Sequence, residues 1–150
     1  MQLSDLIDVA VAGSLGGIEM REIKFRAWDK KRGKFHCGCS NVCLTLSGHL
    51  MWQFGYQSPD LLDKEEREQF ILQQYTGLKD RNGVEIYEGD IIKAHLRDYD
   101  RPDVMQAYWD EEVAQFNFGK RGYEGYEFYE LEDCEVIGNI YENPELVRDE

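Results

Sequence analysis

A chain of 150 residues, 42% of them hydrophobic, is the size of one ordinary domain and long enough to bury a core without disulfide staples. Its formal net charge of -13 argues against nonspecific binding to DNA or RNA, because that binding needs Lys and Arg to neutralise phosphates. The charge is bipolar: Arg21, Lys24, Arg26, Lys30, Lys31, Arg32 and Lys34 crowd the beginning, whereas Asp110, Glu111, Glu112 and the carboxylates between Glu124 and Glu150 crowd the end.

In chain order, Leu3, Leu6, Ile7 and Ala10 recur at helical spacing behind Ser4, and Gly13, Gly16 and Gly17 stop that helix. Asp5, Asp8 and Glu19 stand where an export signal carries basic residues, and the longest apolar run falls far short of the roughly 20 residues that span a bilayer. Met1 to Glu19 is therefore expected to be neither leader nor anchor but an N-terminal extension, a real appendage or residues read from an upstream start codon, ahead of one domain over residues 20–150. Ile23, Phe25 and Ala27 alternate with Lys24, Arg26 and Trp28, the period of a half-buried strand. Lys30 to Lys34, with Gly33, turns the chain back, and Leu50 to Phe54 is a further short strand. Ser58-Pro59-Asp60 offers the cap and first-turn proline of a helix through Leu61, Leu62, Glu65, Glu66 and Glu68, and Phe70 to Tyr75 returns to strand.

The most regular turn chemistry follows, from Gln74 to Lys93. Asn82-Gly83 suits the positive φ angles of a tight turn, and Gly89-Asp90 punctuates the entry to the β-branched pair Ile91-Ile92. Lys93 to Leu96, Val104 to Trp109 and Val113 to Phe118 are short segments rich in aromatic or β-branched residues, separated by polar turns, which predicts an antiparallel meander. Cys134 to Tyr141 closes it, with a bulge or close-approach point at Gly138 and a stop at Asn143-Pro144. The expected fold is mainly β, a small partly open antiparallel β-barrel with one or two short helices, since closure hides strand edges that otherwise pair between molecules.

Three blocks together resemble the YopX family of small proteins from phages, prophages and other bacterial mobile elements. They are Met20-Arg21-Glu22-Ile23-Lys24-Phe25-Arg26-Ala27-Trp28-Asp29, the stretch from Tyr75 to Lys93, and Glu135-Val136-Ile137-Gly138-Asn139-Ile140-Tyr141-Glu142-Asn143-Pro144-Glu145-Leu146. The resemblance implies a β-rich fold and a mobile-element origin, and it brings no activity or catalytic residues with it. Met1 to Glu19 and the cysteines Cys37, Cys39 and Cys43 depart from the family pattern.

His36, Cys37, Cys39 and Cys43 form the one local cluster of metal-type ligands, but structural zinc sites repeat a ligand pair some way along the chain. Small cysteines on a strand are the plainer reading, reduced in a cytoplasmic protein, and no cofactor is expected. The histidines His36, His49 and His95 are scattered with no nucleophile motif around them, so no catalytic residue is assigned and a non-enzymatic role is expected. The aromatic stripe that includes Tyr123, Tyr126, Phe128 and Tyr129 has Glu and Asp neighbours rather than the Lys and Arg of a base-stacking groove, which favours core packing plus a Tyr-rich protein interface. The sequence thus points to a protein acting through protein contacts, with itself as a homo-oligomer or with a host protein, and not at a membrane. Two alternatives remain: nucleic-acid binding through Arg21, Lys24, Arg26, Lys30, Lys31, Arg32 and Lys34, and mimicry of DNA by the acidic second half.

Overall fold

The computed structural model describes residues 22–36, 42–44, 50–52, 60–61, 63–97, 99–120 and 125–147. Two four-stranded antiparallel sheets dominate. The first contains β1 (Phe25–Asp29), β2 (Lys34–His36), β6 (Phe70–Lys79) and β7 (Glu85–Tyr87) in the order β2-β1-β6-β7. The second contains β8 (Asp90–Leu96), β9 (Pro102–Asp110), β10 (Gln115–Gly119) and β11 (Leu131–Asn139) in the order β10-β9-β8-β11, and it curls into a half-barrel. Between β2 and β6 lie a small sheet of β3 (Val42–Leu44), β4 (Leu50–Trp52) and β5 (Asp60–Leu61), then helix α1 (Lys64–Glu68). The chain is mainly β and partly open, as its turns and strand periods require.

Most left-handed backbone positions among the described residues are filled by glycine. Gly33, Gly77, Gly83 and Gly89 all have φ between 61° and 89°, a region that costs other residues steric strain. At the β6–β7 hairpin only Gly83 takes a positive φ, while Asp80 braces the turn by accepting from the amides of Asn82 (2.8 Å) and Val84 (2.9 Å). Asp29 does the same for the β1–β2 turn, accepting from the amides of Lys31 (2.9 Å) and Arg32 (3.1 Å) while fully buried. The Thr76 hydroxyl, donating to the carbonyl of Ile86, fills the irregularity where β6 carries extra residues opposite β7.

The core lies inside the second sheet. Ile92, Ala94 and Leu96 of β8 alternate with exposed Lys93 and half-buried His95, and they meet Met105, Ala107, Phe118, Leu131 and Cys134, with Ile86 of β7 closing the cluster. β11 is bulged twice, between Glu132 and Glu135 and between Val136 and Gly138, so the expected irregularity at Gly138 is present and a second one precedes it. The first bulge receives the β6–β7 turn: the Arg81 amide donates to the Cys134 carbonyl (2.9 Å) and the Val136 amide donates to Asp80 Oδ2 (3.0 Å). An edge strand is thereby paired by another element and withdrawn from solvent.

Four local expectations are corrected. Asp60–Leu61 is strand, not helix; α1 begins only after Asp63, whose carboxylate accepts from the Glu66 amide (2.8 Å) while Glu66 accepts from the Asp63 amide (3.0 Å). That reciprocal capping box outweighs the first-turn proline signal. Ile23, just ahead of β1, and Phe25, its first residue, are 66% and 42% exposed, whereas Arg26 is half-buried and Ala27, Trp28 and Asp29 are buried, so the strand is enclosed on both faces toward its end. Val113 belongs to a turn and not to β10, and Lys93 to Leu96 continues the strand begun at Asp90. Met1 to Glu19 and the predicted helix within it lie outside the described residues.

Candidate functional site

Arg26 and Gln73 are cross-strand partners on β1 and β6, and Asp90 and Asn139 are cross-strand partners on β8 and β11. The two pairs, one from each large sheet, meet. The Arg26 guanidinium donates through Nε to Gln73 Oε1 (2.9 Å) and through Nη2 to Asp90 Oδ1; Asn139 Nδ2 donates to both the same Gln73 oxygen (3.2 Å) and the same Asp90 oxygen (3.0 Å). The second Asp90 oxygen accepts from the Tyr87 amide (2.8 Å), and the Asn139 oxygen accepts from the Tyr141 amide (3.1 Å). Gln73, Asp90 and Asn139 are each no more than 2% exposed, so the ion pair exists only because every polar atom around it is satisfied.

The opening of this junction is aromatic. The Arg26 guanidinium lies 4.2 Å from the Phe35 ring centroid and 4.5 Å from that of Tyr87, a stacked geometry that suits a planar cation. Trp28, two residues along β1, packs edge-on to Phe35 (4.9 Å) and stacks on Tyr141 (5.8 Å). On the other side Lys24 Nζ reaches Glu85 at 2.6 Å and Glu22 at 2.9 Å, and the Tyr87 hydroxyl donates to Glu85 at 2.9 Å. The hydrogen bond to Glu85, then that to Glu22, holds the Lys24 ammonium well above its ordinary range, and the same Lys24 bond depresses Glu85. Burial, then the bond to Glu85, pushes the Tyr87 phenol up to about 12. Charge alternates along this face as Glu22, Lys24, Glu85, Arg26 and Asp90, and each cation is matched by a carboxylate. The arrangement is a latch between sheets; its donors and acceptors are committed to one another and it presents no nucleophile beside a base.

The alternative nucleic-acid reading of the sequence included Arg26 and Lys24, and the structure places both in these internal pairs. Lys30, Lys31, Arg32 and Lys34 are exposed on the β1–β2 turn, with Arg32 also 3.4 Å from Asp29. Arg21 lies outside the described residues, as do Cys37 and Cys39; of His36 and Cys43 only the backbone is described, on β2 and β3. His95 lies on β8 at the rim of a shallow pocket of about 190 Å³, whose lining also includes Lys93, Asp133 and the Arg81–Glu135 ion pair (2.5 Å). In the aromatic stripe, Tyr126 and Phe128 pack on the core, with Phe128 5.6 Å from Phe118, while Tyr129 is 65% exposed and Tyr123 lies outside the described residues.

Gln73, Asp90 and Asn139 were not singled out from the sequence. The available signal was a small polar residue directly after glycine at the edge of an apolar strand, in Gly89-Asp90 and Gly138-Asn139. Gly89 must lack a side chain because a Cβ there would collide with the Gln73 amide and lie 3.4 Å from Ile140 Cδ1. No helix among the described residues is long and apolar enough to cross a membrane.

The architecture has counterparts among solved structures. Protein EF1440 from Enterococcus faecalis is 26% identical, with 86% of this chain and 100% of that chain covered and a TM-score of 0.57. Protein yopX from Bacillus subtilis is 24% identical over the same shares of the two chains, with a TM-score of 0.55. A search of curated proteins gave no match. The profile of the family described as YopX protein matches residues 24–148, a span that contains Arg26, Gln73, Asp90 and Asn139. The chain therefore belongs to the YopX family.

Proposed function

We propose that this YopX-family protein, of phage or mobile-element origin, is a non-enzymatic cytoplasmic module that works by binding protein, including further copies of itself. The observation that supports this reading is the division of labour between inside and outside. Asp29, Asp80 and Asp90 accept backbone amides and Arg26 is clamped, whereas Trp109, Val113, Tyr99 and Tyr129 present large apolar surface, from 39% to 65% exposed. Exposed aromatic side chains with polar tips or edges are the usual anchors of protein interfaces. Sedimentation velocity of the purified chain over a wide concentration range, with tagged capture from the native host, tests it. A single monomeric species throughout and no stoichiometric protein in the capture would remove the reading.

A second reading rests on the β1–β2 turn, where Lys30, Lys31 and Lys34 are exposed together. Contact of this turn with phosphate gives a low-salt gel shift that is lost when the three are neutralised. The absence of any shift at low salt disposes of it.

A further inference from the structure

We infer that the uncovered end of the β9–β10 hairpin is a docking surface for the basic β1–β2 turn of a second copy of this chain. The inference rests on the self-association reading above and names its surface and partner.

In β9, Met105 and Ala107 point into the core, and Trp109 continues the same face one step beyond it. In β10, Phe118 is core and Phe116 is the cross-strand partner of Trp109, their rings 5.0 Å apart and edge-on. The apolar face of the half-barrel therefore runs past the core: Trp109 is 39% exposed, and Val113 in the adjoining turn is 57% exposed. Acidic groups frame this end. Glu111 and Glu112 are exposed, and Asp110 holds the turn by accepting from the Glu112 amide (3.0 Å) and from Asn117 Nδ2 (3.1 Å). Ala114 sits at φ 52°, so the loop keeps a conformation that an L-residue adopts only where its surroundings impose it.

These features select the occupant. Two such ends brought face to face would bring two acidic rims of like charge together, which disfavours a self-complementary contact. The complement lies on the other sheet, where Lys30, Lys31, Arg32 and Lys34 project from a turn fixed by buried Asp29. Their long aliphatic stems suit the Trp109 and Val113 surface, their charges meet Glu111 and Glu112, and a guanidinium or ammonium over the indole adds a cation–π contact. With a net charge of -13, copies repel in other orientations, so this pairing also fixes which way they meet. The contact is head-to-tail and grows into a ring or an open array.

The test compares the wild type with Lys30→Glu/Lys31→Glu/Lys34→Glu and with Glu111→Lys/Glu112→Lys, by sedimentation velocity at low and high salt. Arg32 is kept because it also bonds Asp29. All replaced side chains are exposed, and thermal melts check that both variants fold. The expected result is concentration-dependent association of the wild type, weakened at least about tenfold in each variant and by salt, and restored when the two variants are mixed, because one then offers a native acidic end and the other a native basic turn. Wild-type association that neither variant changes overturns this docking site and leaves the self-association reading standing. A monomeric wild type at every concentration overturns both the site and that reading of self-association. Loss in each variant without recovery on mixing also overturns the complementary contact.

Discussion

Asp90 is the residue on which most of the structure converges, since one carboxylate serves Arg26, Asn139 and the Tyr87 amide from three different strands. Asp90→Ala strips an acceptor from all three and leaves a guanidinium without its counter-charge. Urea unfolding is expected to show a loss of about 3–5 kcal/mol, while Arg26→Met combined with Asp90→Asn, which removes both charges together and keeps one oxygen to accept from either Asn139 or the Tyr87 amide, loses less. Cys134 gives a second prediction. Burial, then the nearby Asp80 charge, pushes its thiol up to about 11, so the neutral form is favoured by folding. The folded protein holds that proton more tightly than the unfolded chain, so this contribution to stability is complete below pH 9 and declines as pH rises toward 11. Mass spectrometry after maleimide treatment at pH 8 is expected to find Cys134 unmodified in the native protein and modified in denaturant. Labelling at equal rates in both states would contradict the burial.

At the scale of elements, two glycines with the same φ separate backbone strain from packing. Gly83 and Gly89 both have φ of 81°, but a Cβ at Gly83 meets nothing within 4 Å, whereas one at Gly89 meets the Gln73 amide. Gln73 has no room to move aside, being bonded to Arg26 and Asn139 and buried. Gly83→Ala is expected to cost about 1–2 kcal/mol from the left-handed conformation alone. Gly89→Ala is expected to cost that amount plus roughly 1–3 kcal/mol from overpacking and a broken network. Equal losses in chemical denaturation would show that the inter-sheet latch relaxes freely, contrary to its geometry.

For the whole molecule, acid sensitivity follows from carboxylates held below their ordinary range, Asp80 and Glu85. Burial alone would raise Asp80, but bonds from the Val136, Val84 and Asn82 amides outweigh it and the group is held below its ordinary range. A depressed carboxylate stabilises the fold above its unfolded pKa, near 3.8, and that contribution is lost as pH falls through the folded value. Circular dichroism is expected to show stability flat near neutrality and falling below about pH 4, with Asp80→Asn less sensitive to acid over that window. On the self-association proposed above, Trp109→Ser is expected to lower the melting temperature modestly, through loss of its edge-on contact with Phe116, and to weaken association in sedimentation.

Sequence alone determined what local chemistry controls. The turns at Gly33, Gly83 and Gly89, the bulge at Gly138 and the strand periods follow from φ preferences and side-chain alternation within a few residues, and together with the three motif blocks they fix a mainly β, partly open architecture of the YopX family. The face of β1 was not legible, because a lone arginine reads as solvent-facing until Asp90, 64 residues away, neutralises it and the Phe35 and Tyr87 rings enclose it. The α1 boundary was misread because Asp63 and Glu66 cap each other more effectively than Pro59 starts a helix. Tertiary structure alone decided that Lys24 and Arg26 are spent on internal pairs, that Tyr126 and Phe128 belong to the core, and that Trp109 stands beyond it. The physical reason is range: propensity and turn chemistry act over neighbours in the chain, whereas charge matching and burial depend on which strands the two sheets bring together.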